Sequence, residues 1–197
     1  MVINPGDGGY SVDEALLQYI FDTLPVGKTI LELGAGESTK RFKEHGYNVI
    51  SVEHDVNWIN IVPGVTYIHA PIELYEGKYD LPPSLKKRVD SVHTGWYNRK
   101  ALAEGLLGRH YDLVLVDGPP RNYGRTGFIH HINLFKLSDI PIIFDDMHRR
   151  DEMVLARRVA AELKRDLLIK NNGYEIIGHK PNGDPKHTEQ KPFGVIL

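Results

Sequence analysis

The chain has 197 residues, contains no cysteine and carries a formal net charge of −2 at pH 7. Its 41% hydrophobic and 25% charged residues are ordinary for a globular protein, and a chain of this length can bury a full core without disulfide or metal cross-links. The lack of cysteine excludes disulfides, cysteine-ligated zinc and a thiol nucleophile. The small net charge gives no support for nucleic-acid binding.

The chain shows no targeting or membrane signal. Residues 1–9 lack the basic and apolar stretches of a signal peptide, and no apolar run approaches the length of a membrane span. We therefore expect one cytoplasmic domain over residues 1–197 that binds neither membranes nor nucleic acid. The sequence leaves the oligomeric state open.

The first predicted element is a helix that begins near Ser11. Residues 11–14 have the pattern of a capping box, in which Ser11 and Glu14 satisfy each other's backbone N–H groups. Apolar residues follow at helical spacing as far as Leu24, and Pro25 and Gly27 end the helix.

Strands and helices then alternate along the chain. Such alternation predicts a parallel sheet covered by helices on both faces, and the last two strands, with no helix between them, predict an antiparallel pair. Residues 71–97 have no clear period and are interpreted as a lid or substrate loop. The predicted strands are 29–33, 49–53, 65–69, 111–117, 141–145, 174–179 and 193–197. The predicted helices after the first are 38–45, 56–61, 98–110, 128–137 and 151–164.

The loop after the first strand contains Glu32, Gly34 and Gly36. Two glycines at this spacing let the backbone turn sharply and approach a ligand. The third glycine of a dinucleotide fingerprint is replaced by Thr39, and Glu37 would repel a pyrophosphate. Glu32 suits a ligand that carries a positive charge or an amine. The alternative is a tight turn with no ligand.

Glu53 ends the second strand, 17 residues after Gly36. A carboxylate at this position can accept hydrogen bonds from both hydroxyls of a ribose, although a solvated strand-end charge is the alternative. The following residue, His54, could orient Glu53 or cap the next helix.

Three motifs together resemble the class I S-adenosylmethionine-dependent methyltransferases. They are residues 30–36, Glu53 and residues 111–120. The resemblance implies a Rossmann-like, seven-stranded, mostly parallel sheet with an antiparallel last strand. It further implies that Gly34 and Gly36 pass under the methionine part of the cofactor, that Glu53 holds its ribose, and that Asp117 also contacts the cofactor. Residues 69–72, which include Ala70 and Pro71, would lie beside the adenine.

Carboxylates follow two neighbouring strands of the predicted sheet. Asp117 ends the fourth strand, and Asp145 and Asp146 end the fifth. Clustered carboxylates favour a hard cation such as Mg²⁺, which could bind a substrate hydroxyl and lower its pKa. The 28-residue spacing from Asp117 to Asp145 is similar to that of the metal-dependent O-methyltransferases, of the catechol and bacterial sugar types. In the alternative without metal, Asp117 alone contacts a ligand and Asp146 caps the next helix.

Several basic residues surround these acids. Arginines in loops beside an active site suggest an anionic substrate held by guanidinium groups, although surface solvation is the alternative for each one. His148 is the best-placed histidine for a general base. The predicted substrate-binding residues are Arg121, Tyr123, Arg125 and Arg149.

Taken together, the sequence predicts methyl transfer from S-adenosylmethionine to a hydroxyl of a small molecule or glycan, with Asp117 and His148 as catalytic residues. Three rival hypotheses remain. An aminopropyltransferase shares the fold, but its polyamine substrate would not favour the nearby arginines. A nicotinamide oxidoreductase lacks support without the third glycine. A catalytically silent cofactor-binding partner protein is the third.

Overall fold

A computed structural model describes residues 12–74, 95–171, 174–175 and 191–197. Its main sheet has eight strands in the order β3-β2-β1-β6-β7-β10-β8-β9. These strands are β1 (Thr29–Leu33), β2 (Asn48–Glu53), β3 (Thr66–His69), β6 (Leu113–Val116), β7 (Ile142–Phe144), β8 (Leu167–Asn171), the two-residue β9 (Tyr174–Glu175) and β10 (Phe193–Ile196). A separate two-stranded sheet contains β4 (Ile72–Leu74) and β5 (Gly95–Tyr97).

Five α-helices lie among these strands within the described residues. They are α1 (Glu14–Thr23), α2 (Glu37–Glu44), α3 (Arg99–Leu106), α4 (Gly127–His130) and α5 (Arg150–Leu163). Short 3₁₀ helices span Val56–Trp58 and Ile132–Leu134. None of the helices in the described ranges has both the length and the apolar composition needed to cross a membrane.

The core lies on both faces of the sheet. Successive residues of β6 point to opposite faces: Leu113 and Leu115 join one buried cluster with α1 and α2, whereas Val114 and Val116 join another with α3 and α5. Strands buried on both faces are the mark of a parallel sheet enclosed by helices. The predicted Rossmann-like fold is therefore confirmed, including the antiparallel strand β10, which pairs with both β7 and β8.

The position of the sixth long strand differs from the sequence prediction. The strand predicted at 174–179 is β8 at Leu167–Asn171, and only the two residues of β9 extend it; residues 176–179 lie outside the described part. Lys164 takes a left-handed conformation with φ of 54° and ends α5. The Arg165 guanidinium then donates to the carbonyls of Leu137, Ile140 and Ile196, which ties the chain to the sheet before β8 begins.

Three smaller predictions also change. Asp13 caps α1 by accepting a hydrogen bond from the Ala15 N–H at 3.1 Å, and Ser11 lies outside the described residues. The helix predicted at 128–137 is divided into α4 and a 3₁₀ turn, and the helix predicted at 56–61 is a 3₁₀ turn. The two ends of the predicted lid pair with each other as β4 and β5, while residues 75–94 lie outside the described part.

The order of strands defines where a ligand can bind. The chain runs from β1 outward through β2 to β3 and later returns to place β6 on the other side of β1. The loops after β1 and β6 therefore leave the sheet in opposite directions, and the crevice between them is the usual ligand site of an open α/β sheet.

We expect Leu16→Ala to lower the free energy of unfolding by about 3 kcal/mol, because it removes a fully buried side chain between α1 and the sheet. Leu107→Ala is the matched control, since Leu107 is 82% exposed and its truncation leaves no cavity. Urea unfolding of both variants measures the difference. Equal losses of stability would contradict this account of the core.

Candidate functional site

A cleft of about 280 Å³ lies at the carboxyl ends of β1, β2, β6 and β7, at the point where the strand order reverses. We call it the acid cleft, because carboxylates from three strands converge on it. Its wall consists of Gly34, Glu53, Asp117, Gly118, Pro120, Arg121, Arg125, Asp145, Asp146, Arg149 and Lys191.

Two glycines form a close contact at one side of the acid cleft. Gly34 has φ of +98°, which favours glycine, and a Cβ on it would lie 3.2 Å from the backbone of Gly118. A Cβ on Gly118 would lie 2.3 Å from the Tyr97 hydroxyl oxygen. The loops after β1 and β6 can meet this closely only because neither residue has a side chain.

Glu53 is held in place on the cleft wall by backbone N–H groups. One carboxylate oxygen accepts hydrogen bonds from the N–H groups of His54 and Asp55 at 2.6 and 2.7 Å, and the other accepts from Ala35 at 2.8 Å. Burial opposes the charge, but the hydrogen bonds from His54, Asp55 and Ala35 outweigh it and lower the pKa of Glu53. Glu53 therefore presents an ionised, rigid acceptor to the cleft.

Glu32 lies behind the loop rather than on the cleft wall. Its side chain is completely buried and accepts hydrogen bonds from the hydroxyls of Ser38 at 3.2 Å and Thr39 at 2.7 Å. The Thr39 hydroxyl in turn accepts from the Gly36 N–H. Burial raises the pKa of Glu32 to about 7, against the lowering effect of these hydrogen bonds. In the structure Glu32 orders the start of α2 through its hydroxyl partners.

A buried arginine lies among the clustered acids. Arg125 donates to the backbone oxygen of Asp117 and lies 3.0 Å from the Asp117 carboxylate, 3.3 Å from Asp146 and 3.8 Å from Glu152. Burial disfavours the charged guanidinium, but these carboxylates outweigh burial and raise the pKa of Arg125. Arg125 was predicted to bind substrate; the structure instead engages most of its guanidinium with the protein's own acids.

Part of this cluster remains open. The Nη1 atom of Arg125 and the Oδ1 atoms of Asp145 and Asp146 are buried without a hydrogen-bond partner in the described part of the chain. Carboxylate oxygens of Asp117, Asp145 and Asp146 lie within 4.8 Å of one another. Unsatisfied buried polar atoms are costly, so these atoms mark a place where a ligand could bind.

The electrostatic environment of the acids is unusual. Burial raises the pKa of Asp117 well above its ordinary value; Arg125 opposes this rise, and Asp145 and Asp146 add to it. Burial, together with the charge of Asp146, also raises the pKa of Asp145. Asp146 takes a left-handed backbone conformation with φ of 60°, which is uncommon for a residue with a side chain and occurs most often at functional sites.

A second cleft, of about 390 Å³, adjoins the acid cleft. It is lined by Arg121, His148, Arg149, Arg150 and Asp151, and we call it the arginine cleft. Arg121 and Arg149 line both clefts. His148 lies here rather than in the acid cleft, with Nδ1 3.9 Å from an Asp146 oxygen, and its burial lowers its pKa despite that carboxylate.

The remaining predicted residues surround the acid cleft without lining it. Nδ1 of His54 lies 2.5 Å from the Glu53 carboxylate, and its ring contacts Tyr123 edge-on at 5.7 Å. Ala70 is buried after β3 and donates its N–H to the Glu53 carbonyl, whereas Pro71 is exposed. Gly36 caps α2.

Sequence reasoning missed several residues of the site. Glu152 and Lys191 approach the acid cluster from α5 and from the segment before β10. Arg150 lines the arginine cleft. Tyr97 places a buried hydroxyl without a partner in the described residues beside Gly118. The first two residues lie outside the strand ends where the motifs were sought, and the position of Tyr97 depends on the β4–β5 pair.

Comparisons with known proteins identify the fold only. No protein-family model matches the chain, and no curated protein sequence matches it. The solved structure of precorrin 8W decarboxylase from Methanobacterium thermoautotrophicum matches with a TM-score of 0.54 and 13% identity, over 99% of this chain and 94% of that chain. This match supports a shared fold over almost the full length of both chains.

Two further structures superpose less closely and add no argument. A methyltransferase-like protein from Silicibacter pomeroyi has a TM-score of 0.48 and 20% identity, over 95% of this chain and 88% of that chain. A TehB-like SAM-dependent methyltransferase from Corynebacterium glutamicum has a TM-score of 0.49 and 15% identity, over 96% and 88%.

Glu32→Gln should change how stability depends on pH. Because the pKa of Glu32 is raised from 4.5 to about 7 on folding, the folded state holds the proton more tightly than the unfolded state. The contribution of Glu32 is therefore most favourable below pH 4.5 and is lost as the pH rises to about 7, by about 3 kcal/mol. The stability of Glu32→Gln relative to wild type should rise by this amount over the same interval.

Urea unfolding at several pH values measures the effect. Glu44→Gln serves as the control, since the Glu44 side chain is 64% exposed at the end of α2. If the stability difference between Glu32→Gln and wild type does not change with pH, Glu32 is not a buried, proton-holding group.

Proposed function

We propose that the protein is an S-adenosylmethionine-dependent methyltransferase that methylates a hydroxyl oxygen of a small molecule or glycan. The observation that carries this proposal is Glu53, an ionised carboxylate anchored by three backbone N–H groups at the end of β2, beside the Gly34–Gly118 contact. A fixed acceptor at this strand end is suited to the two hydroxyls of a ribose.

The shape of the acid cleft fits such a cofactor. The Gly34 backbone is free of a side chain where the amino-acid part would pass, and each Glu53 oxygen has lone-pair capacity beyond its backbone hydrogen bonds. The loop between β1 and α2 is kept in shape by Glu32 through Thr39. These contacts preorganise the site before a ligand arrives, which lowers the entropic cost of binding.

When bound, S-adenosylmethionine supplies a methyl carbon activated by the positive sulfur. The acceptor oxygen forms a bond to this carbon as the carbon–sulfur bond breaks, and the hydroxyl proton must leave. We assign this proton to Asp117, because burial raises its pKa and makes it a stronger base than an ordinary aspartate. His148, in the adjoining arginine cleft, is the second candidate base. Positioning of the acceptor against the methyl group supplies the rest of the rate.

We further propose that Mg²⁺ binds at the open oxygens of Asp145 and Asp146, with Asp117 as the third carboxylate. Three observations support it: the short separations among these carboxylates, the buried Oδ1 atoms without partners, and an excess of carboxylates over the guanidinium groups that contact them. Oxygen ligands and a place for water suit Mg²⁺. The ion would bind the acceptor hydroxyl and lower its pKa.

We expect the wild-type protein to bind S-adenosylhomocysteine, and Glu53→Gln to bind it about tenfold to a hundredfold more weakly, because charged hydrogen bonds to the ribose are lost. Calorimetric titration measures both affinities, with Glu44→Gln as the exposed control. Thermal unfolding of each variant separates a loss of affinity from a loss of fold. The proposal fails if the wild-type protein does not bind S-adenosylhomocysteine but binds NAD or decarboxylated S-adenosylmethionine.

Mg²⁺ titration tests the metal separately. We expect heat of Mg²⁺ binding in the wild-type protein that is abolished in Asp145→Asn, which removes the charge of a ligand while keeping its shape. Asp22→Asn, on the exposed face of α1, should bind Mg²⁺ like the wild type. If the wild-type protein gives no Mg²⁺ signal, Arg125 alone neutralises the acids.

A further inference from the structure

The arginine cleft has a chemistry that the proposed methyl transfer does not use. Three guanidinium groups and an imidazole line it, together with the carboxylate of Asp151. A concave surface with several cations concentrates anions, and its position next to the acid cleft makes it accessible to the same ligand.

Two of these arginines carry no internal partner. Arg149 lies 2.6 Å from an Asp146 oxygen, so part of its charge is already compensated. Across the described part of the chain, Arg121 and Arg150 form neither an ion pair nor a hydrogen bond through their guanidinium groups. Both side chains are exposed at the cleft. Their donors are available to a ligand.

The start of α5 adds to this potential. The helix begins at Arg150 and has 14 residues, and Arg149 at its N-cap position accepts no hydrogen bond through its side chain. The first N–H groups of such a helix and its dipole attract negative charge. The helix end and the unpaired arginines therefore act on the same cleft.

We infer that the arginine cleft binds a phosphate group carried by the methyl acceptor. This inference rests on the proposed function, because it assigns the acceptor as a phosphomonoester whose hydroxyl enters the acid cleft. Arg121 and Arg149 line both clefts, so a phosphate held in one lies next to groups bound in the other. Anchoring the phosphate would orient the hydroxyl toward Asp117.

A phosphate suits this cleft better than a carboxylate does. One guanidinium group satisfies both oxygens of a carboxylate, whereas two unpaired arginines and a helix N-terminus offer more donors than a carboxylate can accept. A dianionic phosphate has three oxygens for these donors. It also balances the local excess of positive charge more fully.

The test is calorimetric titration in EDTA, so that no metal bridges the ligand. The probes are inorganic phosphate, glycerol 3-phosphate as a small phosphomonoester, and acetate as a carboxylate. We expect both phosphates to bind the wild-type protein more tightly than acetate, and Arg150→Gln and Arg121→Gln each to weaken that binding about tenfold. Arg158→Gln is the matched control, two turns further along α5 and outside the cleft.

Each outcome decides the inference. Equal phosphate binding by Arg150→Gln, Arg121→Gln and Arg158→Gln would overturn it, as would acetate binding as tightly as phosphate. Binding of inorganic phosphate without glycerol 3-phosphate would overturn its assignment to an acceptor. A parallel titration with S-adenosylhomocysteine keeps the two proposals apart: Arg150→Gln should retain wild-type affinity, and failure of the cofactor alone to bind would count only against methyl transfer.

Discussion

The buried guanidinium of Arg125 is the interaction on which the geometry of the acid cleft depends. Its side chain is 4% exposed and contacts carboxylates from the loop after β6, the loop after β7 and the first turn of α5. A buried charge is tolerated only when it is paired and hydrogen-bonded, and removing one partner of such a pair costs about 3–5 kcal/mol. Because three separate elements supply those partners, the same ion pairs that compensate the charge also hold the cleft in shape.

This arrangement separates two kinds of charge. The acid cleft contains carboxylates in excess, with buried oxygens of Asp145 and Asp146 that lack partners within the described residues. The adjoining arginine cleft presents Arg121 and Arg150, whose guanidinium groups are not used by the fold. One region therefore suits a hydroxyl and a cation, and its neighbour suits an anion. If a single ligand occupies both, its polarity must follow the same division.

Much of the fold and part of the candidate site could be predicted from the sequence. The buried runs at 29–33 and 111–117, each followed by glycine, have the pattern of parallel strands that end at a ligand crevice, and Glu53 and Asp117 lie there. Strand β8 could not be recognised, because Arg165 and Lys170 bracket a short apolar stretch and obscure its edges. Glu152 was missed for a different reason: on a helix with a clear apolar side, an isolated acid has the pattern of a solvated residue.

The sequence by itself determined the class of fold and the kinds of side chain at the strand ends, because burial periodicity and glycine turns are local properties of the chain. Only the tertiary structure decided which charges are paired. Arg125 and Arg121 lie four residues apart in one loop and have the same chemistry, yet one is enclosed by acids and the other is exposed. That difference arises where the loops after β6 and β7 meet the start of α5, and a contact among elements distant in sequence leaves no mark in the local pattern.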